Sequence, residues 1–407
     1  MHKIERLLQT LAPKGVEFRK LGEVCDFQKG KSITKKAVTF GKVPVISGGR
    51  QPAYYHNEAN RSGETIAISS SGVYAGYVSY WDIPVFLADS FSVSPKQKTL
   101  MPKYLFHYLT TQQDAIHATK SAGGIPHVYS KDLQNFLIPI PPLEIQQEIV
   151  KILDAFTELN TELNTELKAR KKQYQYYQNM LLDFKDINQN HKDAKEKLVQ
   201  KTYPKRLKTL LQTLAPKGVE FRKLGEVLEY DQPNKYCVTS KEFDKSYPTP
   251  VLTAGKTFIL GYTNEKDNIY QASKNAPVII FDDFTTATQW VDFPFKVKSS
   301  AMKILLPKNP TINIRFIFFY MQTIPYNIGG EHARHWISRY SQLAIPIPPL
   351  EIQQEIVKIL DQFSLLTTDL LAGIPAEIKA RKKQYEYYRE KLLTFKPLTP
   401  HKEVDKK

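Results

Sequence analysis

Seventeen consecutive residues, IPIPPLEIQQEIVKILD, occupy positions 138–154 and return unchanged at 345–361. An identity of that length inside one chain marks an internal duplication, and a duplication restricts the fold to two related halves. Two further words recur with it: LLQTLAPKGVEFRKLGEV at 7–24 and 210–227, and KARKKQY at 168–174 and 379–385. The separation between copies grows from 203 to 207 to 211 residues along the chain. Between the shared words the copies differ almost completely, over 25–137 in one and 228–344 in the other. Two nearly constant framework segments therefore alternate with two variable ones.

The variable segments read as β-rich globular domains. In the first, residues 43–46, 64–68, 76–80 and 85–87 are short runs of β-branched and aromatic residues punctuated by Gly and Ser, the pattern of strands. One helix is expected at 102–111, where Tyr104, Leu105, Tyr108 and Leu109 mark an apolar side. Residues 16–24 alternate apolar and charged side chains and suit an entry strand or edge segment. The second variable segment echoes the first in outline: PVISGGR at 44–50 is matched by PVLTAGK at 250–256, and PVIIF at 277–281 has the composition of a buried strand. The stretch 186–208 is polar and Lys-rich and predicts a solvated linker.

The prolines of the repeated word make a stiff, extended connector, and Pro142 sets up a helix start. Beyond it Ile145, Ile149, Ile152, Phe156, Leu159, Leu163 and Leu167, then Tyr174, Tyr177, Leu181 and Phe184, recur in steps of three and four. That seam predicts packing against another helix. At about 40 residues and 1.5 Å each, the helix would be on the order of 60 Å long. Its partner is the second copy: Ile352, Ile356, Ile359, Phe363, Leu366 and Leu370, then Ile378, Tyr385, Tyr388, Leu392 and Phe395. Within the first helix residues 157–167 read TELN, TELN, TEL, and at the matching place the second copy carries Gly373-Ile374-Pro375, which should bend or restart it. The expected class is α+β: two globular α/β domains separated by two long antiparallel helices in a coiled coil, with a pseudo-two-fold internal repeat.

A net charge of +16 favours a polyanionic partner, nucleic acid being the commonest one. No apolar run is long enough to span a membrane, so a cytoplasmic location is expected. Cys25 and Cys237 do not match in the repeat and read as packing residues. Gly30-Lys31-Ser32 and Gly255-Lys256-Thr257 imitate the end of a phosphate-binding loop, but the upstream glycine is Cys25 in one case and Pro250 in the other. No dinucleotide or methyl-donor glycine fingerprint appears, and no Asn-Pro-Pro-Tyr or Asp-Pro-Pro-Tyr. Asp282 and Asp283 read as solvated turn residues, and His332 and His335 lack a second pair of ligands, so no metal site is expected. The chain is read as non-catalytic.

Two unlike domains on duplicated long helices, each helix introduced by IPIPPLEIQQEIV, resemble the specificity subunit of type I restriction-modification systems. Where that family's connector often continues with Ala or Ala-Glu-Gln, this chain has Leu143-Glu144-Ile145-Gln146-Gln147. The resemblance implies two target recognition domains that each read one half of a split DNA sequence, with helices that set their spacing and dock two copies of a methyltransferase subunit. It also implies that an ATP-dependent restriction subunit can join, and that S-adenosylmethionine, ATP and Mg²⁺ sit on partner chains, leaving this one without a cofactor. The domain plan is then 1–137 for the first recognition domain, 138–209 for the central framework, 210–344 for the second recognition domain and 345–407 for the distal framework. A self-contained DNA-modifying enzyme and a coiled-coil scaffold without sequence readout stay open as alternatives.

Candidate DNA-contacting residues follow from side-chain chemistry. Lys29, Lys31, Lys35 and Lys36 suit phosphates, and Arg50, Gln51, Tyr54, Ser70 and Tyr74 are placed to reach base edges. In the second domain Lys235, Lys241 and Lys256 suit phosphates, with Thr286, Gln289, Arg334 and His335 near bases. The basic runs 168–172 and 379–383 fit a solvated helix face that can follow DNA or meet an acidic partner.

Overall fold

The computed structural model describes residues 2–96, 98–121, 125–190, 192–253, 257–325, 334–368 and 373–398, the side chains of 2 and 368 excepted. The chain divides into two compact units, residues 1–164 with 377–407 and residues 165–376. Of the residues singled out above, Ala254, Gly255, Lys256, His332 and Leu370 lie outside the described ones.

In the first unit helix α1 (His2–Leu11) leads to strand β1 (Glu17–Lys20) and a single helical turn, α2 (Leu21–Val24). The strand expected over 16–24 thus ends four residues early. A turn in which the Cys25 N–H bonds to the Leu21 carbonyl buries both Leu21 and Val24. Then come β2 (Cys25–Lys29), β3 (Val43–Ile46), β4 (Tyr54–His56), β5 (Thr65–Ser69), β6 (Val78–Trp81), β7 (Phe86–Leu87) and β8 (Ser90–Pro95). They form an antiparallel sheet in the order β2-β8-β5-β6 and a second sheet in which β3 is flanked by antiparallel β4 and parallel β7. All five residues of β5, TIAIS, are buried, as a strand covered on both faces requires. Helices α3 (Pro102–Thr111), α4 (Gln113–Ala118) and α5 (Ser130–Leu133) follow. The connector strand β9 (Leu137–Ile140) pairs antiparallel with β1. Helix α6 (Leu143–Leu182) is continuous over 40 residues, the length expected from its apolar seam.

The second unit repeats this plan strand for strand. After α7 (Ala194–Gln200) and α8 (Lys205–Leu214) come β10 (Phe221–Lys223), α9 (Leu224–Val227), β11 (Leu228–Asp231), β12 (Thr249–Leu252), β13 (Ile259–Thr263), β14 (Val278–Asp282), β15 (Thr288–Val291), β16 (Lys296–Val297) and β17 (Met302–Pro307). Sheet orders β11-β17-β14-β15 and β13-β12-β16 match those of the first unit. Helices α10 (Ile314–Met321) and α11 (His335–Ser338) precede the connector β18 (Ala344–Pro346), which pairs with β10. Helix α12 (Leu350–Thr368) completes this unit, and α13 (Ile374–Leu393), with Pro375 in its first turn, belongs to the first from Glu377 onward.

The seam of the long helices is divided between two tasks. Ile145 and Ile149 are fully buried in the first unit's core together with Tyr104, Leu105 and Leu109 of α3, and Ile152 is partly buried there. They serve the domain, because the connector is paired into it and α6 begins two prolines later. Helix also packs on helix: the Phe156 ring lies 6.2 Å from Tyr385 and 5.6 Å from Tyr388 of α13, and Leu392 and Leu393 share the cluster of Ile145 and Ile149, so α6 and α13 run antiparallel. In the second unit Ile352 and Ile356 are likewise buried among Phe316 and Ile317 of α10, Ile359 packs at the edge of that cluster, and Phe363 stacks on Tyr177 of α6 at 5.0 Å.

The stretch 186–208 is not a solvated linker. Ile187, Ala194, Leu198, Tyr203 and Leu207 are buried in the second unit's core, while Lys201 pairs with Asp183 and Asp186. Its many lysines mask apolar residues at helical spacing, one face of which docks. Each unit also closes with the same backbone clasp. The Val219 N–H donates to the Ile187 carbonyl at 2.7 Å and the Gln189 N–H to the Val219 carbonyl at 3.0 Å; the Val16 N–H donates to Lys396 at 2.9 Å and Leu398 donates to Val16 at 3.0 Å. Gly218 (φ 102°) and Gly15 (φ 110°) precede these contacts in the left-handed region, where an L side chain would also collide with the facing backbone.

Duplicated glutamines bind each variable domain to its helix. Gln146, fully buried, accepts from the Met101 N–H at 2.9 Å and donates to the carbonyls of Thr99 at 2.8 Å and Pro141 at 2.7 Å. Gln353 accepts from Asn313 N–H at 2.8 Å and donates to Thr311 at 3.1 Å and Pro348 at 2.7 Å. All six partners in these bonds are main-chain atoms. An ion pair repeats too: Lys103 reaches Asp154 at 2.7 Å and Arg315 reaches Asp361 at 2.8 Å. One turn farther along, His107 of α3 is buried and lies 2.9 Å from Asp154, whereas Phe319 of α10 occupies the corresponding place.

Candidate nucleic-acid interface

The first unit carries basic and aromatic side chains on the loops that follow β2, β3 and β5. Lys29 ends β2, and Lys31, Lys35 and Lys36 follow it, all four exposed. Beneath them Arg61 is committed to structure: it donates to the carbonyls of Gln28 at 3.1 Å, Lys29 at 3.0 Å and Asn60 at 2.7 Å, and to the Ser92 hydroxyl at 2.9 Å. The loop after β3 carries Arg50 and Gln51, both exposed, and the Arg50 guanidinium lies 4.8 Å from the ring centre of Tyr74. Tyr54 is exposed on β4. Ser70 is half-buried, its N–H donating to the Asp89 carbonyl and its own carbonyl accepting from Val128.

The last contact brings in a segment that sequence reasoning missed. Residues 125–131 lie alongside 70–72 through the Gly72 N–H to Pro126 carbonyl bond and the Ser71–His127 bridge. His127 and Tyr129 stack at 6.0 Å and the Lys131 ammonium sits 5.4 Å over the Tyr129 ring. The signal was present as HVYSK, two aromatic rings and a lysine in a polar loop.

In the second unit the corresponding loops carry different chemistry. Lys235 is exposed, 4.8 Å over the Tyr236 ring, and Lys241 is exposed in the loop after it. Glu265 holds that loop, accepting from the N–H groups of Thr239 at 2.9 Å and Ser240 at 2.8 Å while pairing with the buried Lys296 at 2.9 Å. Burial alone would raise the Glu265 carboxyl, but the hydrogen bonds from Ser240, Lys296 and Thr239 outweigh it and bring the pKa down from 4.5 to about 2. The ionised form therefore stabilises the fold above pH 4.5, and the contribution is lost as pH falls from there towards 2. Glu265→Gln is expected to lower the thermal midpoint at pH 7 and to converge with the unsubstituted chain on acidification, as followed by circular dichroism across pH.

Thr286 turns between β14 and β15 with φ 58°, and Gln289 is exposed on β15. Arg334 is exposed at the start of α11, but His335 beside it is 5% exposed, with a ring nitrogen that has no hydrogen-bond partner among the described residues. Its backbone N–H is drawn inward onto the Asp283 carbonyl at 2.9 Å, which turns the ring away from the exposed reach-in position expected of it. Asp282 and Asp283 are not solvated either, at 5% and 1% exposure. Asp282 accepts from the N–H groups of Phe284 and Thr285 within the turn. Asp283 accepts from the Trp336 N–H at 2.8 Å and lies 3.7 Å from the buried Lys303 ammonium. Asp282 closes the β14–β15 turn and Asp283 ties it to α11, so Arg334 and the turn are presented together. Among the described residues no group of His, Cys, Asp and Glu could hold a metal ion, and no helix is long and apolar enough to cross a membrane.

The basic runs sit on helix surfaces. Lys168, Lys171 and Lys172 on α6 and Lys379, Lys382 and Lys383 on α13 are exposed, whereas Arg170 and Arg381 pair with Glu166 and Glu377 one turn back.

Comparison with known proteins bears on both units. Residues 13–173 and 216–380 each match the family model of the type I restriction modification DNA specificity domain. The EcoR124I/EcoR124II specificity subunit of Escherichia coli is 55% identical over 188 residues, a match spanning 44% of this chain and 45% of that one, less than half of its length. A putative type I restriction enzyme specificity subunit of Haemophilus influenzae is 29% identical over 427 residues, covering 96% of this chain and 98% of its own. The crystal structure of a type I S subunit from M. genitalium superposes with a TM-score of 0.63 at 18% identity, over 93% of this chain and 96% of that one.

Proposed function

Because this chain belongs to the type I restriction-modification DNA specificity family, as a specificity subunit with two target recognition domains, we propose that residues 1–137 and 210–344 each read one half of a bipartite DNA target. Residues 138–209 and 345–407 form the framework that spaces them and docks two methyltransferase subunits. The observation carrying this reading is that two sheets of identical strand order recur on a duplicated frame, while the loops around them differ in every candidate contact. A shared plan with unlike loops suits two half-sites of different sequence, as symmetric readers suit palindromes. A frame presented twice suits a partner bound twice. S-adenosylmethionine, ATP and Mg²⁺ then belong to the methyltransferase and to an ATP-dependent restriction subunit of the assembled complex. Lys29, Lys31, Lys35, Lys36, Lys235 and Lys241 contact phosphates, and Arg50, Gln51, Tyr54, Ser70, Tyr74, Thr286, Gln289 and Arg334 approach bases.

Mapping methylated adenines in the host genome before and after deletion of this gene tests the proposal. One split motif with unequal halves is expected to lose its methylation entirely. A motif that persists would refute the reading, and methyl transfer by the purified chain alone would favour a self-contained enzyme.

A further inference from the structure

Residues 25–137 contain two arginines, Arg50 and Arg61. Arg61 is engaged by the four oxygens described above. Arg50 is exposed, and among the described residues no carboxylate or carbonyl accepts from its guanidinium. Its orientation is nevertheless constrained, because the guanidinium lies 4.8 Å from the ring centre of Tyr74 and 5.6 Å from that of Tyr77. The two loops that bring these side chains together are pressed backbone to backbone: a Cβ on Gly48 would fall 2.5 Å from the Ser71 carbonyl, and the Ser69 hydroxyl donates to the Ser47 carbonyl at 3.0 Å. The Ala53 N–H closes the loop onto Val45 at 2.9 Å.

We propose that Arg50 reads a guanine in the first half-site, donating from two N–H groups to O6 and N7 in the major groove. An arginine fork matches that edge of guanine and no other base edge as well. A phosphate contact needs no fixed plane, and the exposed lysines at 29, 31, 35 and 36 already supply cations for it. Holding the guanidinium by aromatic faces leaves its N–H groups free while reducing the rotamer freedom lost on binding. The first half-site therefore contains at least one guanine, and Arg50 sets the preference for it. This rests on the first domain being a DNA reader.

The test uses the complex with its methyltransferase and duplexes carrying each single-base change in the mapped target. With the unsubstituted chain, replacing one guanine of the first half-site is expected to weaken binding by about tenfold to a hundredfold. 7-Deazaguanine at that position, which lacks the N7 acceptor, should weaken it as well. Arg50→Ala should flatten discrimination at that one position and become insensitive to 7-deazaguanine, while discrimination in the second half-site is unchanged. Equal weakening on every duplex would make Arg50 a phosphate contact and overturn the proposal, as would unaltered discrimination at every position. Absence of any sequence selectivity in the unsubstituted complex would instead sink the recognition reading itself.

Discussion

Removing residues 161–164, one TELN unit of α6, is expected to abolish recognition of the native bipartite target and to create recognition of one whose halves stand one or two base pairs closer. The polar side chains of this tract bond back onto their own helix: Thr157 to the Leu153 carbonyl at 2.9 Å, Asn160 to Phe156 at 2.9 Å, Thr161 to Thr157 at 2.9 Å and Asn164 to Asn160 at 2.6 Å. Deleting four residues removes about one helical turn, and the helix can reclose about 6 Å shorter. Against duplex steps of about 3.4 Å that is one or two base pairs. Affinity for the native target should fall on the order of a hundredfold or more, since one half-site is forfeited. Binding to a duplex series of graded spacer length measures it. An optimum that stays where it was would show that this tract does not set the gap.

Gln146→Leu and Gln353→Leu should each destabilise one unit and spare the other. Each substitution keeps the size of the side chain but removes one acceptor and two donated bonds that the glutamine makes to main-chain groups. At about 1–3 kcal/mol for each buried group left unpaired, a loss on the order of 3 kcal/mol is expected. Urea unfolding of the two variants should show comparable losses, because the two glutamines make the same three kinds of bond. A small effect at either position would mean that water replaces the lost bonds and that the joint is held chiefly by its isoleucines.

The framework was legible in the residues because it is written twice and because its physics is local. Proline stiffness placed the connectors, and apolar spacing placed α3 and the whole of α6. The direction of the helix seam was not legible, since Ile145 and Phe156 satisfy the same period while facing different partners. Nor was the burial of Asp282 and Asp283. Two adjacent carboxylates look solvated until the turn folds the N–H groups of Phe284 and Thr285 onto Asp282, and Lys303 and the Trp336 N–H reach Asp283 from elsewhere in the chain. In the candidate interface, Arg50 and Tyr74 were foreseen as separate reach-in residues but not as a stacked pair, and the loop of His127 and Tyr129 was not foreseen at all. Distant loops converge through backbone bonds that no side-chain pattern announces.

Duplication need not leave the halves alike in their response to the medium. Burial holds the His107 imidazole below its ordinary value of 6.5 despite the neighbouring Asp154 carboxylate. The neutral ring is the form the joint accommodates, so proton uptake below that value works against the folded arrangement. Phe319 takes up no proton. Mild acidity is thus sensed at one attachment and ignored at its twin, which gives a molecule built from copied parts a chemical left and right.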